Sequence, residues 1–405
     1  MARIAVLSFH TSPLAQPGTG DGGGMNVYVR ELSSGLARSG HHIDVYTRKE
    51  NDHQPGSVLV EPGFWVHHVN AGPVRELTRE ELPLFVDEFA DAVATLIRAS
   101  DVPDAIHANY WLSAIAGHRL KHELGVPLIT TFHTLERIKA ETYEAESDER
   151  AMEEERIIGC SEAVLASCDV EAAQIISLYK ADPARVHVVP LGVDHAFFAP
   201  GYRPQARRAL GHNVESALLL FVGRLQKLKG VDLALETHIE LRRRGVPTKL
   251  AIVGGPSGPD GVSTLRALHE RVQEAGVIND VYFVAPQSHQ LLSTWFRAAD
   301  VTLVPSRAES FGLVALESSA CGTPVVASEV GGLTTLVENN VNGVLLKDRD
   351  VTSWADAVEG LLNEHHARSL GTSAVLRARE YTWRIAAERL TDIVATLMSS
   401  QLVRC

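Results

Sequence analysis

Short apolar runs alternate with stretches of helical periodicity through the first half of the chain. The apolar runs predict strands at residues 4–8, 42–47, 105–108, 127–131, 163–167 and 186–189. Between them, apolar residues recur at helical spacing and predict helices at residues 27–39, 80–99, 111–123 and 170–179. Strands separated by helices of this length are typical of βαβ units, in which a parallel sheet is buried on both faces.

A second series of the same kind follows a segment at residues 191–204 that contains several glycines and prolines. Its predicted strands lie at residues 218–222, 249–253, 281–284, 301–304, 324–327 and 343–346. We therefore expect an α/β protein of two Rossmann-like doubly wound domains, at residues 1–195 and 196–383. A final helix within residues 384–405 is expected to pack back on the first domain. Because ligands bind beyond the carboxyl ends of such strands, a central cleft between the domains is the expected site.

The length and the net charge of the chain limit the classes of function that it can have. A chain of 405 residues is too long for one typical core, which agrees with two domains. Its net charge of -12 argues against a general nucleic-acid binder, because neutralising phosphates needs a basic face. The first residues show no signal-peptide pattern, and no apolar run approaches the roughly 20 residues of a membrane span. We expect a cytoplasmic protein.

The chain has four cysteines, and none of them belongs to a CxxC motif. Their spacing indicates neither a zinc site nor a redox motif. Free thiols in a reducing compartment are the expectation for Cys160, Cys168, Cys321 and Cys405.

A glycine-rich loop at residues 17–26 follows the first predicted strand and opens the first predicted helix. Glycines let a backbone approach a ligand closely, and a helix N-terminus offers N–H groups to an anion. The loop is longer than the GxGxxG turn of dinucleotide-binding proteins, and its glycines are irregularly spaced. A ligand-binding role is favoured over a flexible turn without a ligand, and a nicotinamide enzyme is the weaker alternative.

Two cations follow the first strand of the second domain. Arg224 and Lys229 lie between the strand at 218–222 and the next predicted helix. Fixed cations there would stabilise the negative charge that builds on a departing diphosphate. The alternative is a pair of solvated surface charges, the usual state of Arg and Lys. A second glycine-rich loop at residues 254–259 is able to approach the same nucleotide.

Two carboxylates follow the predicted strand at 301–304. Glu309 lies in the loop and Glu317 in the helix after it, so that both could accept hydrogen bonds from sugar hydroxyls. Alone, this pair would be better explained as helix-surface charge. Together with Arg224, Lys229 and the glycines at 331–332, it indicates an enzyme that uses a nucleotide sugar.

These motifs resemble those of the retaining glycosyltransferases of the GT-B fold, in their fourth sequence family. The resemblance covers nearly the whole chain and rests on the glycine-rich first loop, on residues 223–230 and on the element at 309–317. The start at residues 10–28 is similar to two subgroups, the inositol-phosphate N-acetylglucosaminyltransferases of mycothiol biosynthesis and the sucrose-phosphate synthases. Residues 80–83 and 254–259 favour the mycothiol-type enzymes.

The resemblance implies roles for the donor-binding residues. Arg224 and Lys229 would bind the donor diphosphate beside the backbone of Gly24. Glu309 would hold the hydroxyls of the donor sugar, and Glu317 would hold the ribose hydroxyls.

His133, which follows the strand at 127–131, would contact the donor sugar near its reacting carbon. The alternative for His133 is a histidine with satisfied hydrogen bonds at a strand end. The implied catalytic set is His133, Arg224, Lys229 and Glu309.

The same resemblance implies an acceptor-binding set formed by His10, Asn26, Arg79, Tyr110, Thr134 and Arg156. Arg79 stands where a lysine is usual, which keeps the charge and changes the geometry. Arg156 follows three glutamates, so that a solvated ion pair on a helix face explains it equally well. Asn109, where a second histidine is common, and residues 190–194 depart from the mycothiol-type pattern. These departures concern the identity of the acceptor more than the type of reaction.

The resemblance thus implies a hexosyltransferase that retains the anomeric configuration of the sugar. We expect transfer of N-acetylglucosamine from UDP-N-acetylglucosamine to 1L-myo-inositol 1-phosphate. Three alternatives stay open: transfer to a hexose phosphate as in sucrose-phosphate synthases, transfer of a hexose to a lipid-linked acceptor, and a non-catalytic nucleotide-sugar-binding protein. The lack of a conspicuous basic amphipathic stretch counts mildly against the lipid-linked acceptor.

No cofactor and no catalytic metal are expected, because Arg224 and Lys229 can do the work that a metal does elsewhere. The segment at residues 348–350 has the form of a DxD motif, but it precedes a predicted helix and is interpreted as an N-cap. The resemblance implies front-face attack, in which the leaving phosphate takes the acceptor proton. Dimers occur among relatives, so a homodimer stays open.

Overall fold

The computed structural model describes residues 1–18, 22–142, 148–211, 216–258 and 260–405. Two parts of the predicted site, residues 19–21 of the first glycine-rich loop and residue 259 of the second, lie outside the described residues. The chain divides into two compact units, which confirms the prediction of two Rossmann-like domains. Whether a central cleft separates them stays a prediction.

Unit 1 comprises Met1–Ala15, Gly24–Pro190 and Trp383–Cys405, and unit 2 comprises Gln16–Gly23 and Leu191–Thr382. The division falls at Pro190, where the sequence predicted residue 195. Part of the glycine-rich first loop therefore groups with the second unit, although it follows the first strand of the chain.

Unit 1 is built on one sheet, and its inner strands coincide with the apolar runs of the sequence. The strands are β1 (Arg3–Leu7), β2 (His42–Arg48), β3 (Ser57–Glu61), β4 (Phe64–Val69), β5 (Ala105–Asn109), β6 (Leu128–Thr131), β7 (Ala163–Ala166) and β8 (Val186–Val188). Their order is β3-β4-β2-β1-β5-β6-β7-β8. Strands β5, β6 and β7 are buried at every position, as expected of a sheet covered on both faces.

The hairpin β3–β4 at one edge of this sheet was not predicted. β3 pairs antiparallel with β4, whereas β4 pairs parallel with β2. Leu59 in β3 is 51% exposed, because an edge strand of this kind covers little of the core. The apolar run of β3, at residues 58–60, is only three residues long and was not recognised as a strand, so the expectation of a purely parallel sheet was wrong at this edge.

Among the described residues of unit 1, four helices coincide with the predicted periodic segments, and the two helices between residues 136 and 160 were not predicted. The helices are α1 (Gly24–Arg38), α2 (Val86–Arg98), α3 (Trp111–Leu124), α4 (Glu136–Thr142), α5 (Asp148–Cys160) and α6 (Asp169–Tyr179). The predicted helix at 80–99 starts with a 3-10 turn at Leu82–Phe85, which has a proline near its start. α2 then buries Phe89, Val93 and Ile97 in the core of the unit.

Unit 2 is a second sheet, and all its strand pairs are parallel within the described residues. Its strands are β9 (Ala217–Val222), β10 (Thr248–Val253), β11 (Val281–Val284), β12 (Val301–Val304), β13 (Val325–Ser328) and β14 (Val344–Leu346). Their order is β11-β10-β9-β12-β13-β14. The first strand of unit 2, β9, lies inside the sheet. β10 and β11 follow on one side of β9, and β12, β13 and β14 follow on the other, so that the strand order reverses between β9 and β12. A ligand binds at such a switch point in open α/β sheets.

The helices of unit 2 are α7 (Arg203–Ala209), α8 (Val231–Arg243), α9 (Gly261–Glu274), α10 (His289–Ala298), α11 (Leu313–Ala320), α12 (Leu333–Leu336), α13 (Val351–Leu361) and α14 (Glu364–Ala378). A 3-10 turn at Lys227–Lys229 precedes α8. Asp350 caps α13 by accepting a hydrogen bond from Ser353 N at 2.9 Å, so the DxD-like segment is an N-cap as predicted.

The last helix, α15 (Trp383–Leu397), returns to unit 1 and packs on α1. A Cβ at Gly35 of α1 would lie 3.1 Å from the Trp383 carbonyl oxygen and 3.2 Å from Ala387 Cβ. The absence of a side chain at Gly35 therefore lets the two helices approach closely. No helix within the described ranges combines the length and apolar character that a membrane crossing requires.

Two of the four cysteines are paired. Cys160 at the end of α5 and Cys405 form a disulfide, with their Cα atoms 5.5 Å apart, while Cys168 and Cys321 are free and buried. The expectation of four free thiols was therefore wrong for this pair. The two residues lie 245 positions apart in sequence, and a search for short motifs does not detect such a pair.

Candidate active site

One group of candidate residues lies in unit 2, where two glycine turns bring backbone segments together. Gly223 follows β9 and Gly254 follows β10, and a Cβ at Gly254 would overlap the Gly223 carbonyl oxygen. Gly254 has a φ of 154°, which disfavours a side chain as well. A Cβ at Gly23 would lie 3.6 Å from Arg224 Nε, so the end of the glycine-rich first loop lies against Arg224. Gly24 follows directly and begins α1.

Lys229 and Glu309 meet at the switch point. Lys229 Nζ donates to Glu309 Oε2 at 2.6 Å, and the Ser306 hydroxyl donates to the same oxygen at 3.2 Å. A Cβ at Gly230 would overlap the Pro305 carbonyl oxygen, which shows how closely the loops after β9 and β12 approach. The structure thus joins the predicted cation and the predicted carboxylate.

Two glycines, Gly331 and Gly332, pack against the backbone of the loop that carries Glu309. Gly332 N donates to the Glu309 carbonyl oxygen at 2.9 Å. A Cβ at Gly331 would overlap that oxygen, and one at Gly332 would overlap the Ser310 carbonyl oxygen. Only glycines fit here, and they leave the Glu309 side chain directed to Lys229.

Glu317 lies in α11 just beyond the first turn of that helix. It is 6% exposed, and burial raises its pKa to about 8. At neutral pH the group is mainly a carboxylic acid, which is able both to donate a hydrogen bond to a hydroxyl and to accept one from it.

A second group of candidate residues lies in unit 1 around Tyr110. Tyr110 links β5 to α3 with a φ of 75° and a ψ of 155°, a conformation that strains a residue with a side chain. The His10 ring lies 4.4 Å from the Tyr110 ring. Arg150 Nη1 lies 3.4 Å from the Tyr110 hydroxyl, and Arg150 Nη2 donates to the Thr134 carbonyl at 2.8 Å and approaches its hydroxyl at 3.3 Å.

Arg150 was missed by the sequence analysis, which had selected Arg156 on the same helix. The guanidinium of Arg150 is 5% exposed and is oriented by Glu154, which accepts from its Nε at 2.8 Å. A signal was available: Arg150 shares the buried face of α5 with Ala151, Glu154 and Ile157. A cation on the apolar face of a helix needs polar partners, and this fact separates Arg150 from Arg156.

Arg156 lies on a different face of α5. It is exposed, pairs with Glu153 at 2.7 Å and places its Nη1 3.2 Å from His118 Nδ1. Six residues along a helix correspond to about 9 Å of rise and a rotation of roughly 120° between the two side chains. We therefore add Arg150 to the candidate acceptor residues, and the acceptor role of Arg156 stays a prediction. Burial, helped by Arg156, lowers the pKa of His118 to about 4.

His133 follows β6 with a φ of 62°. Its Nε2 lies 3.0 Å from Asn109 Oδ1, and its ring lies 4.8 Å from the Tyr28 ring, edge to face. Burial, with smaller contributions from His107 and His10, lowers the pKa of His133 to about 3. His133 is therefore a neutral, oriented imidazole, and Asn109 is the residue that orients it.

Of the two remaining predicted acceptor residues, Asn26 is buried and Arg79 is exposed. The amide nitrogen of Asn26 donates to Thr11 Oγ1 at 2.7 Å and to the Ser12 carbonyl at 2.6 Å. Its amide nitrogen thus supports the loop after β1. Arg79 is exposed in the turn before Leu82–Phe85.

Two Rossmann-like units of this construction are the architecture of a GT-B glycosyltransferase. A family model described as "Glycosyl transferase 4-like domain" matches residues 23–192, and one described as "Glycosyl transferases group 1" matches residues 203–375. The chain belongs to the group 1 glycosyltransferases of the GT-B fold. This confirms the family resemblance, the fold and the assignment as an enzyme of the hexosyltransferase class.

The chain is similar over nearly its full length to several named proteins. A D-inositol 3-phosphate glycosyltransferase of Kribbella flavida is 43% identical over 402 residues, which cover 96% of this chain and 94% of the relative. A protein of the same name from Frankia alni is 44% identical over 391 residues, covering 93% and 95%. The structure of a sucrose-phosphate synthase from Thermosynechococcus elongatus has a TM-score of 0.91 at 31% identity and covers 98% of this chain and 100% of that one.

Proposed function

We propose that this chain transfers N-acetylglucosamine from UDP-N-acetylglucosamine to 1L-myo-inositol 1-phosphate, which is the same compound as 1D-myo-inositol 3-phosphate. The observation that carries the proposal is the cluster of buried Arg150 with half-buried Tyr110 and Thr134, in a chain more than two-fifths identical to D-inositol 3-phosphate glycosyltransferases. The cluster offers one guanidinium edge and two hydroxyls, which is a suitable set for a phosphate monoester.

On the acceptor side, Arg150 would bind the phosphate through its two Nη groups. Glu154 occupies its Nε, so the guanidinium is held with one edge toward Tyr110 and Thr134. Glu136, 3.3 Å from Nη1, is shared with Lys139 at 3.6 Å. Because Glu136 and Glu154 offset the positive charge of Arg150, recognition of the acceptor phosphate would rely on the direction of the N–H groups more than on net charge.

On the donor side, Arg224 and Lys229 would hold the diphosphate. The bond between the anomeric carbon and the phosphate oxygen breaks, and negative charge builds on that oxygen. Fixed cations stabilise this charge more in the transition state than in the ground state. Glu309 and Glu317 would accept hydrogen bonds from the sugar and ribose hydroxyls of the donor.

Retention would follow from front-face attack. The acceptor hydroxyl oxygen forms its bond to the anomeric carbon on the face that the diphosphate leaves, and its proton passes to the leaving phosphate oxygen. Glu309 is paired with Lys229 at 2.6 Å, which makes it a poor nucleophile for a double-displacement route. Neutral His133 would position the sugar without adding a charge.

A sucrose-phosphate-synthase-like activity is the second candidate, favoured by the full-length similarity to that structure at 31% identity. A screen of nucleotide release separates the two. UDP-N-acetylglucosamine, UDP-glucose and other nucleotide sugars are each incubated with inositol phosphate, with hexose phosphates, with a lipid-linked acceptor or with no acceptor. Release that requires inositol phosphate supports the proposal, and release that requires a hexose phosphate supports the second candidate. Donor binding without release for any acceptor would indicate a nucleotide-sugar-binding protein.

The proposal uses no cofactor and no catalytic metal, because its charge stabilisation comes from Arg224 and Lys229. We also propose a cytoplasmic location, where both substrates are small phosphorylated metabolites. A homodimer stays a prediction, which sedimentation of the purified chain tests.

A further inference from the structure

Four potential metal ligands from three distant segments meet on unit 1. His118 and His122 lie one turn apart on α3, Cys160 ends α5, and Cys405 follows α15. One ligand atom from each of these residues lies within 4.8 Å of all the others. The group is separate from the Tyr110 and Arg150 cluster, and none of its members has a role in the proposed reaction.

The spacing between the sulfur and nitrogen atoms fits a tetrahedral centre, whereas the two sulfur atoms, which are bonded in the disulfide, have to move apart after reduction. His122 Nε2 lies 3.5 Å from Cys160 Sγ and 3.4 Å from Cys405 Sγ, and His118 Nε2 lies 3.8 Å from Cys405 Sγ. With Zn–S bonds of about 2.3 Å and Zn–N bonds of about 2.0 Å, a tetrahedral site has an edge of roughly 3.5 Å between sulfur and nitrogen. The observed distances scatter around this edge.

We propose that the reduced Cys160–Cys405 pair, together with His118 and His122, binds one Zn²⁺ in a structural Cys₂His₂ site. Two sulfur and two imidazole nitrogen ligands in a tetrahedron are a typical set for zinc. Binding releases the two thiol protons, and the two thiolates cancel the charge of the ion. The disulfide and the zinc complex use the same sulfur atoms and therefore exclude each other.

The segment that carries Cys405 is held in place by groups that do not ligate the metal. Lys121 is completely buried and pairs with Glu162 at 2.7 Å. Lys121 Nζ also donates to the Val403 carbonyl at 3.1 Å, and Val403 N donates to Glu162 Oε1 at 2.8 Å. This pairing brings Cys405 next to α3 and α5 before any ion binds, so the site is largely preformed.

Arg156 is a neighbour that has to adjust. Its Nη1 lies 3.2 Å from His118 Nδ1, but a neutral His118 that ligates zinc through Nε2 carries its proton on Nδ1. The guanidinium would then rely on its existing pair with Glu153 at 2.7 Å.

The site would link the far ends of the two helices that bear the acceptor cluster. α3 starts directly after Tyr110, and α5 carries Arg150 in its first turn. A zinc ion bound to both helices and to the segment after α15 would fix α3 against α5. Its expected effect is on the stability of unit 1, without a place in the reaction.

Metal content of the full-length chain tests the proposal. The chain is purified with a phosphine reductant, which takes up oxygen from water as it converts the disulfide to two thiols. We expect one zinc per chain by elemental analysis after gel filtration. Replacement by Co²⁺ should give the visible bands of a tetrahedral cobalt site and a near-ultraviolet sulfur-to-cobalt charge-transfer band.

Two variants and two controls complete the test. Cys405→Ser and His122→Ala replace exposed residues, so neither opens a cavity in the core, and both should lose the zinc and the cobalt bands. Cys321→Ser and His365→Ala, which lie in unit 2, should keep both. A chain whose Cys160 and Cys405 are shown by thiol titration to be reduced, but which binds no stoichiometric zinc or cobalt, overturns the proposal. Equal metal content in Cys405→Ser overturns it as well.

Discussion

Lys229 Nζ lies 2.6 Å from Glu309 Oε2, across the switch point between neighbouring strands β9 and β12. Each residue is between one-sixth and one-quarter exposed, so the pair is partly shielded from water. A diphosphate that binds Lys229 competes with Glu309 for this cation. Donor binding would thus release Glu309 to accept hydrogen bonds from the sugar, and one ion pair would link the two halves of donor recognition.

Replacing Lys229 by Ala should reduce kcat by about 10²–10³, because one fixed charge at the leaving oxygen is lost. The matched control is Lys249→Ala, which removes a lysine of similar exposure in the same unit that pairs with Asp280 at 3.7 Å. The measurement is initial-rate nucleotide release at saturating donor and acceptor. Equal turnover in Lys229→Ala and Lys249→Ala would contradict the role given to Lys229.

Arg150 and Arg156 form a second matched pair, since they lie on one helix and only Arg150 contacts Tyr110 and Thr134. Arg150→Lys keeps the charge and loses the forked geometry, so the KM for the phosphorylated acceptor should rise about 10–100-fold. Donor hydrolysis without acceptor should change little. Arg156→Ala should leave both constants near their original values. If Arg156→Ala raises the acceptor KM and Arg150→Lys does not, the result supports Arg156 as the acceptor-binding arginine, as predicted from the sequence.

Asn109 should act through His133. Asn109→Ala removes the acceptor at 3.0 Å from His133 Nε2, and we expect kcat to fall about 10-fold with little change in the acceptor KM. His133→Ala should be at least as damaging. The double variant should be no worse than His133→Ala alone, because the lost interaction is the same. Additive losses of activation free energy in the double variant would show that the two residues act independently.

Glu317 should make stability depend on pH. Burial raises its folded-state pKa to about 8, so between roughly pH 5 and pH 8 the folded chain keeps a proton that the unfolded chain has lost. The free energy of unfolding therefore falls as pH rises through this window, by up to about 1.4 kcal/mol per pH unit from this group. Glu317→Gln removes that contribution, so its stability relative to the original chain should increase from pH 5 to pH 8.

Urea unfolding across this pH range measures the effect, provided that the transition of unit 2 is resolved. Glu270→Gln, at an exposed position of the same unit, is the control and should give a curve parallel to that of the original chain. Parallel curves for Glu317→Gln as well would mean that Glu317 is not protonated in the folded state.

The fold was largely predictable because both sheets are buried on two faces, so that most strands appear as continuous apolar runs. β11 (Val281–Val284) and β12 (Val301–Val304) have the predicted limits. The hairpin β3–β4 lacks this signal, since β3 is half-exposed at a sheet edge. Its side chains carry little information about pairing.

The candidate donor residues could be selected from the sequence because Arg224, Lys229 and Glu309 each lie within a few residues of a strand end, and strand ends are recognisable in sequence. The candidate acceptor residues were harder to recognise in the sequence. Arg150 lies in a helix among other charged residues, and its place on the buried face of α5, where it contacts Tyr110 and Thr134, distinguishes it from Arg156. The approach of Cys160 to Cys405 depends on the return of the chain after α15, which no local pattern encodes.

The stereochemistry and acceptor dependence of one reaction test the central claim most directly. The chain is incubated with UDP-N-acetylglucosamine and 1L-myo-inositol 1-phosphate, and the product is followed by proton NMR as it forms. We predict that the sugar appears on the inositol with the α configuration of the donor and that UDP release requires the inositol phosphate. A β-configured product, or UDP release that is indifferent to the inositol phosphate, would contradict the account.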